Sequence, residues 1–350
     1  MKLGIGLYRH MLTPPNYKFA RQIGCSHVVI HLVDYSAGAD NQPMDRSAGG
    51  WGAAGDPNAL WTAEELLSIR RGIEAEGLTL EAVENFDPAH WHDVLLDGPR
   101  RAAQMENLKR LVRNVGAAGI PVMGYNFSIA GVAGRVTGPF ARGGAESVGV
   151  DGVDQRPVPA GMVWNMTYDR NAPPGTLAPI SHEELWRRLA RFLEELVPVA
   201  EEAGVVLAAH PDDPPAETVR GTPRLVYQPD MYQRLLDIRP SRSNALEFCV
   251  GTIAEMTEGD VYQATDRYSA QGKLAYVHLR NVRGRIPSYH EVFIDEGDID
   301  VPRIMRILKR NGYSGVIIPD HTPLVECLAP WHAGMAYAVG YMRALVQTLA

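Results

Sequence analysis

Residues 205–210 read VVLAAH, 245–249 ALEFC, 274–278 LAYVH and 316–320 VIIPD. Each is a short apolar run that ends in a residue able to bind a divalent metal: His210, Cys249, His278 and Asp320. Apolar runs of this length, bounded by polar turns, read as strands buried on both faces. If the strands lie side by side in a parallel barrel, the four residues converge on the carboxyl-terminal mouth, where the active sites of such barrels are built. Two imidazoles, a thiolate and a carboxylate form a donor set of intermediate softness, suited by ligand type to Zn, Fe(II), Mn or Co. Singly, each residue has a plainer reading: a hydrogen-bonded strand end or, for Cys249, a small buried apolar side chain. The recurrence of one position, the strand end, points to a metal.

Working outward, one unit recurs: an amphipathic helical pattern, a glycine, then an apolar strand. Ala63–Glu76 and Gly77 precede LTLEAVE, Arg100–Ala118 and Gly119 precede IPVMGYNF, His182–Ala203 and Gly204 precede VVLAAH, and Val301–Asn311 and Gly312 precede YSGVIIPD. Thr62 with Glu65 and Ser181 with Glu184 fit the capping box that starts a helix. With Lys2–Leu7 and His27–His31 the strands number about eight, the count that closes a (β/α)8 TIM barrel. A doubly wound open sheet is the alternative, but no G-x-G-x-x-G follows an early strand, which disfavours its dinucleotide-binding form. Asp34–Pro57 and Ser128–Pro179 break the rhythm and read as long loops over the mouth. The expectation is a single domain, 1–350, with inserted loops at about 34–57 and 128–179.

The composition narrows the function. With 350 residues, 45% hydrophobic, and a formal charge of −7, the chain can bury a large core and has no basic stripe for a nucleic acid. No run approaches the roughly 20 apolar residues of a membrane span. The three cysteines (Cys25, Cys249, Cys327) form no paired framework, which suggests a reduced, cytoplasmic protein. A small-molecule substrate is expected; a homo-oligomer is left open.

Other polar residues end strands: Arg9 and His10, His31, Glu84 and Asn85, Tyr125 and Asn126, Arg280 and Asn281. Arg280, Asn126, Glu84 and Arg9 are candidate substrate contacts; His31 reads as a solvated rim residue. His290-Glu291, on the loop after the seventh strand, offers another contact in His290. Asp212 and Asp213 are placed to orient His210. His321 follows Asp320, and an imidazole there suits proton transfer near neutral pH.

HPDDPP (210–215), Cys249-Val-Gly-Thr, His278-Leu-Arg280, HEVFIDEGDID (290–300) and Pro319-Asp320-His321 together resemble the mannonate dehydratase family, as do Tyr125-Asn126-Phe127 and Ala82-Val83-Glu84. The resemblance implies a xylose-isomerase-like barrel that uses Mn(II) or Fe(II) to turn D-mannonate into 2-keto-3-deoxy-D-gluconate and water, in hexuronate breakdown. It implies metal ligands at His210, Cys249, His278 and Asp320, a catalytic histidine at His321, and a catalytic tyrosine further on. TPLVECLAPWHAGMAYAVGY shows no clear tyrosine at the matching spacing, and Leu7-Tyr8-Arg9-His10 replaces the family's usual Trp-Tyr-Gly end. Tyr337, His332 and His290 are the candidates for the second acid or base. A metal-dependent sugar or polyol isomerase or epimerase, and a non-catalytic carbohydrate-binding barrel, are the alternatives.

Overall fold

A computed structural model describes residues 1–35 and 50–349. Eight strands, β1 Lys2–Tyr8, β2 His27–His31, β3 Thr79–Glu84, β4 Val122–Tyr125, β5 Val206–Ala209, β6 Asn244–Cys249, β7 Leu274–His278 and β8 Val316–Ile318, form a closed barrel in sequence order. Every neighbouring pair is parallel, and β1 closes the ring against β8. Helices α1 Pro14–Ile23, α2 Ala63–Ala75, α3 Arg101–Ala117, α4 His182–Ala203, α5 Met231–Ile238, α6 Val261–Ala270, α7 Val301–Arg310 and α8 Pro330–Leu349 alternate with the strands. This is the (β/α)8 architecture read from the sequence.

Local chemistry explains the boundaries. Thr62 and Glu65 form the full capping box at the start of α2, and the Ser181 hydroxyl accepts from the Glu184 amide at the start of α4. Gly204 ends α4 in the left-handed conformation at φ 68. One apolar core lies between sheet and helices; a second, inside the barrel, gathers Val29, Ala82, Val122, Ala208, Tyr276, Val316 and Ile318.

The second long stretch is not the structureless loop its composition suggested. Within Ser128–Pro179, Arg135–Ala141 and Ala145–Asp151 pair as an antiparallel hairpin. The HEVFIDEGDID region likewise contributes a strand: Asn281–Arg285 pairs with Ser288–Val292, which pairs with Ala145–Asp151. The result is a four-stranded roof made by two excursions, one after β4 and one after β7. Residues 147–150 of the hairpin are all buried, as expected of a strand paired on both sides. In the first stretch, residues 36–49 lie outside the described residues. Gly50–Gly55 beyond them packs on the β4 excursion, with Trp51 N donating to the Asn165 carbonyl and Ala54 N to that of Thr167. Among the described residues no helix is long and apolar enough to cross a membrane.

α3 and α4 pack closely at Gly116, where a β-carbon would stand 2.3 Å from the Ala203 carbonyl oxygen. A fixed backbone atom cannot move aside as a side chain can. Gly116→Val is expected to lose about 1–3 kcal/mol of stability, read as a lower urea midpoint with an unchanged slope.

Candidate metal centre and active-site cavity

Strand register builds the site. Pairing sets Tyr8 beside His31, His31 beside Glu84 and Glu84 beside Gly124; on the other side it sets Cys249 beside His278 and His278 beside Ile318. These carboxyl-terminal residues ring one mouth. Gly124 makes room at the centre: a β-carbon there would lie 2.5 Å from the Glu247 carboxylate and 2.7 Å from the Tyr276 hydroxyl.

His210, Cys249 and His278 present ligand atoms within 4.8 Å of one another. Asp320 joins them, with Oδ1 3.5 Å from His278 Nδ1 and Oδ2 3.8 Å from Cys249 Sγ. The structure therefore brings the four strand-end residues together. His210 Nδ1 lies 2.7 Å from the Pro211 carbonyl, which holds a proton there, and the same ring is hydrogen-bonded to Cys249. Neither ring nitrogen of the buried His278 makes a hydrogen bond among the described residues. Glu84 and Glu247 each stand 3.4 Å from its Nε2, placed to orient the ring from below. Burial pushes the Cys249 thiol up, but Arg280 and the two imidazoles outweigh it and bring it down to about 5. Burial likewise raises Asp320, yet His321, His278 and Arg280 hold it well below the usual carboxylate range. A thiolate, a carboxylate and two imidazoles are a donor set that fits a divalent cation.

Several neighbours do other work than the sequence suggested. Asp212 accepts from the Leu225 and Val226 amides and from Arg224, and Asp213 accepts from Arg280 and Tyr289, each at 2.8 Å. The Pro211 carbonyl, rather than either carboxylate, orients His210. Arg280 is 2% exposed and spends its guanidinium on protein groups: Glu255 at 2.7 Å, Glu291 at 2.9 Å, Asp213 at 2.8 Å and Asp320 at 3.0 Å. It has no free edge for a substrate carboxylate. Asn126 is similarly engaged, donating to the Pro211 carbonyl and accepting from Trp164 Nε1. Arg9 donates to the Leu32 carbonyl. His290 stacks on Phe140 at 3.9 Å, on the roof. Tyr337 is 41% exposed, its hydroxyl accepting from Arg142, and His332 meets Asn16. None of Tyr337, His332, His290 or Arg9 borders the cavity.

The cavity over the four donors is bordered by His321, Glu84, and several residues that sequence reading passed over. His321 Nδ1 faces Glu291 at 3.1 Å, which fixes the ring and turns Nε2 away from the roof. Not His290 but its neighbour Glu291, on the opposite strand face, meets His321, because alternate residues of a strand point to opposite faces. His31 is buried in the cavity wall rather than solvated on a rim, with Tyr35 bonded to its Nδ1. Arg135 reaches the cavity from the roof, 3.6 Å from Asp213 and 3.9 Å from Glu291. Nothing in its local sequence distinguishes it from the other arginines of a stretch read as a loop.

The family model for D-mannonate dehydratase (UxuA) matches residues 47–137 and 175–349. The chain belongs to that family, a family of hydro-lyases. A mannonate dehydratase of Streptococcus suis is 32% identical over 277 residues, 75% of this chain and 74% of the relative. Mannonate dehydratase 2 of Halalkalibacterium halodurans is 28% identical, covering 76% and 80%. The crystal structure of the mannonate dehydratase from S. suis serotype 2 superposes with a TM-score of 0.78 at 27% identity, over 99% of this chain and 93% of that one. A xylose isomerase domain protein from Planctomyces limnophilus, at 12% identity and a TM-score of 0.56, shares the fold. The family match skips residues 138–174, which hold most of the roof hairpin and Trp164.

The Arg280 cluster yields a prediction. Arg280→Met would leave Glu255, Glu291, Asp213 and Asp320 without their shared cation. A loss of about 3–5 kcal/mol is expected, measured by denaturant unfolding of the variant against the parent protein.

Proposed function

We propose that this chain is a metal-dependent dehydratase of a sugar acid, converting D-mannonate to 2-keto-3-deoxy-D-gluconate and water in the breakdown of hexuronates. The observation that carries the reading is the His321–Glu291 pair beside a convergent two-imidazole, thiolate and carboxylate donor set, in a chain of this family. The donor set would hold Mn(II) or Fe(II) on His210, Cys249, His278 and Asp320. When bound, such a cation supplies Lewis acidity that favours loss of the proton beside a carboxylate.

The chain's own groups divide the remaining work. Arg135 offers the guanidinium for the acid's carboxylate, by the two-pronged geometry suited to it. His321 is the base for the C2 proton, its Nδ1 anchored on Glu291 and its Nε2 3.4 Å from the Asp320 carboxylate at the cavity wall. As the C2–H bond breaks, the C3 hydroxyl needs a proton to leave as water. The sequence candidates for that acid stand away from the cavity, whereas Tyr8 borders it together with His321. Burial, then Asp320, hold the Tyr8 phenol above its usual range, which keeps its proton available. The phenolate then takes the enol proton and His321 returns its own to C3, giving the keto acid and restoring both groups. A thiolate ligand fits a reducing compartment, the cytoplasm.

Purified protein supplied with Mn(II) is expected to convert D-mannonate to a 2-keto-3-deoxy acid, read colorimetrically. His321→Ala should keep its metal by elemental analysis while turnover falls on the order of 10²–10⁴-fold; near-parental turnover would remove His321 from the chemistry. Cys249→Ser should lose metal affinity at least about tenfold, by the loss of a soft donor; parental metal content would take the sulfur out of the ligand set.

A further inference from the structure

The mouth has a side that the chemistry above does not use. Tyr35, Trp51 and Trp164 meet there: the Tyr35 ring lies 5.3 Å from Trp51 and 5.8 Å from Trp164, and the two indoles are 5.5 Å apart at 87°. All three border the cavity lined by the candidate donors His210, His278 and Asp320, as does Asn85. Among the described residues, two polar atoms in this corner are buried without a hydrogen-bond partner: Trp51 Nε1 and Asn85 Oδ1. Trp164 Nε1, by contrast, is spent on Asn126. The Asn85 side chain is bonded to the Tyr35 hydroxyl, and its backbone takes φ 70 as the chain leaves β3, a left-handed conformation that asparagine tolerates better than most residues. Buried polar atoms are almost always paired. Here one is a donor only and the other an acceptor only.

A hydroxyl group answers both, because it accepts and donates at once. A chain of hydroxylated carbons also presents C–H groups to aromatic faces. We propose that the Trp51–Asn85 corner is the subsite for the polyol tail of the sugar acid, one tail hydroxyl accepting from Trp51 Nε1 and donating to Asn85 Oδ1. The corner would thereby measure the acid's length. This deepens the dehydratase reading and rests on it for the placement of the acid's head at Arg135 and the metal donors.

The test compares calorimetric dissociation constants of D-mannonate and of a four-carbon aldonate lacking the tail, for the Mn(II)-supplied parent protein and its variants. Trp51→Phe keeps a ring and removes the N–H; Asn85→Gly removes the carbonyl and suits the positive φ. Each is expected to weaken six-carbon binding about tenfold, the size of one hydrogen bond, and to shift four-carbon binding less than twofold. Equal shifts for both acids, or none for either, in both variants overturn the subsite. Turnover is read separately on the parent protein. Binding of D-mannonate without turnover sinks the dehydratase reading and leaves the subsite to the binding data, while turnover with binding insensitive to both variants sinks the subsite alone. A parent protein that binds neither acid overturns both.

Discussion

One guanidinium ties the mouth together. Arg280 leaves the end of β7 and meets carboxylates from four separate segments: Glu255 on the short helix after β6, Asp213 on the turn after β5, Glu291 on the roof, and Asp320 after β8. Glu255, Asp213 and Glu291 are buried and Asp320 is half-buried; an unpaired charge in such a place is costly and a paired one is held there. Two of the partners lead straight to the chemistry. Asp320 is one of the four candidate metal donors, and Glu291 anchors His321. The same cation also draws the Cys249 thiol toward its thiolate. Arg280 thus sets the charge state and the positions of groups on three sides of the cavity without bordering the cavity itself.

Space at the centre is a second constraint. The barrel interior is lined by small residues where the site needs room, notably Gly124 opposite Glu247, and by Ala82 and Ala208 beneath. A polar layer of Glu84, Glu247 and Tyr276 lies between this packed floor and the His278 ring. Layered side chains are how such barrels fill their interior; here the uppermost layer is polar and orients an imidazole.

The barrel was legible because its signals are local and repeated. Apolar runs, C-terminal glycines and capping residues each lie within a few positions, and the carboxyl end of a strand is a place that can be counted along a chain. That His210, Cys249, His278 and Asp320 come together follows from that count. What could not be read depends on partners distant in sequence. Arg280 looks like a substrate clamp until its four carboxylates are seen. Asn126 looks free until Trp164 arrives from an excursion. Arg135 and Trp51 come from segments whose composition says loop, and His290 was favoured over Glu291 because strand facing cannot be assigned where no strand is expected. The family resemblance carried the reaction class, while the departures it noted at Tyr8 and beyond His321 fall on residues bordering the cavity or standing clear of it.

The roof joins residues far apart in the chain; the Ser147 hydroxyl donates to the Glu291 carbonyl across 144 positions. The closure of the ring spans more still, with Lys2 beside Val316; the entropic cost of such loops grows only slowly with length. Arg135 and Glu291 both hang from this small antiparallel sheet, so backbone pairing between remote segments sets where a guanidinium meets the cavity and where the anchor of His321 stands.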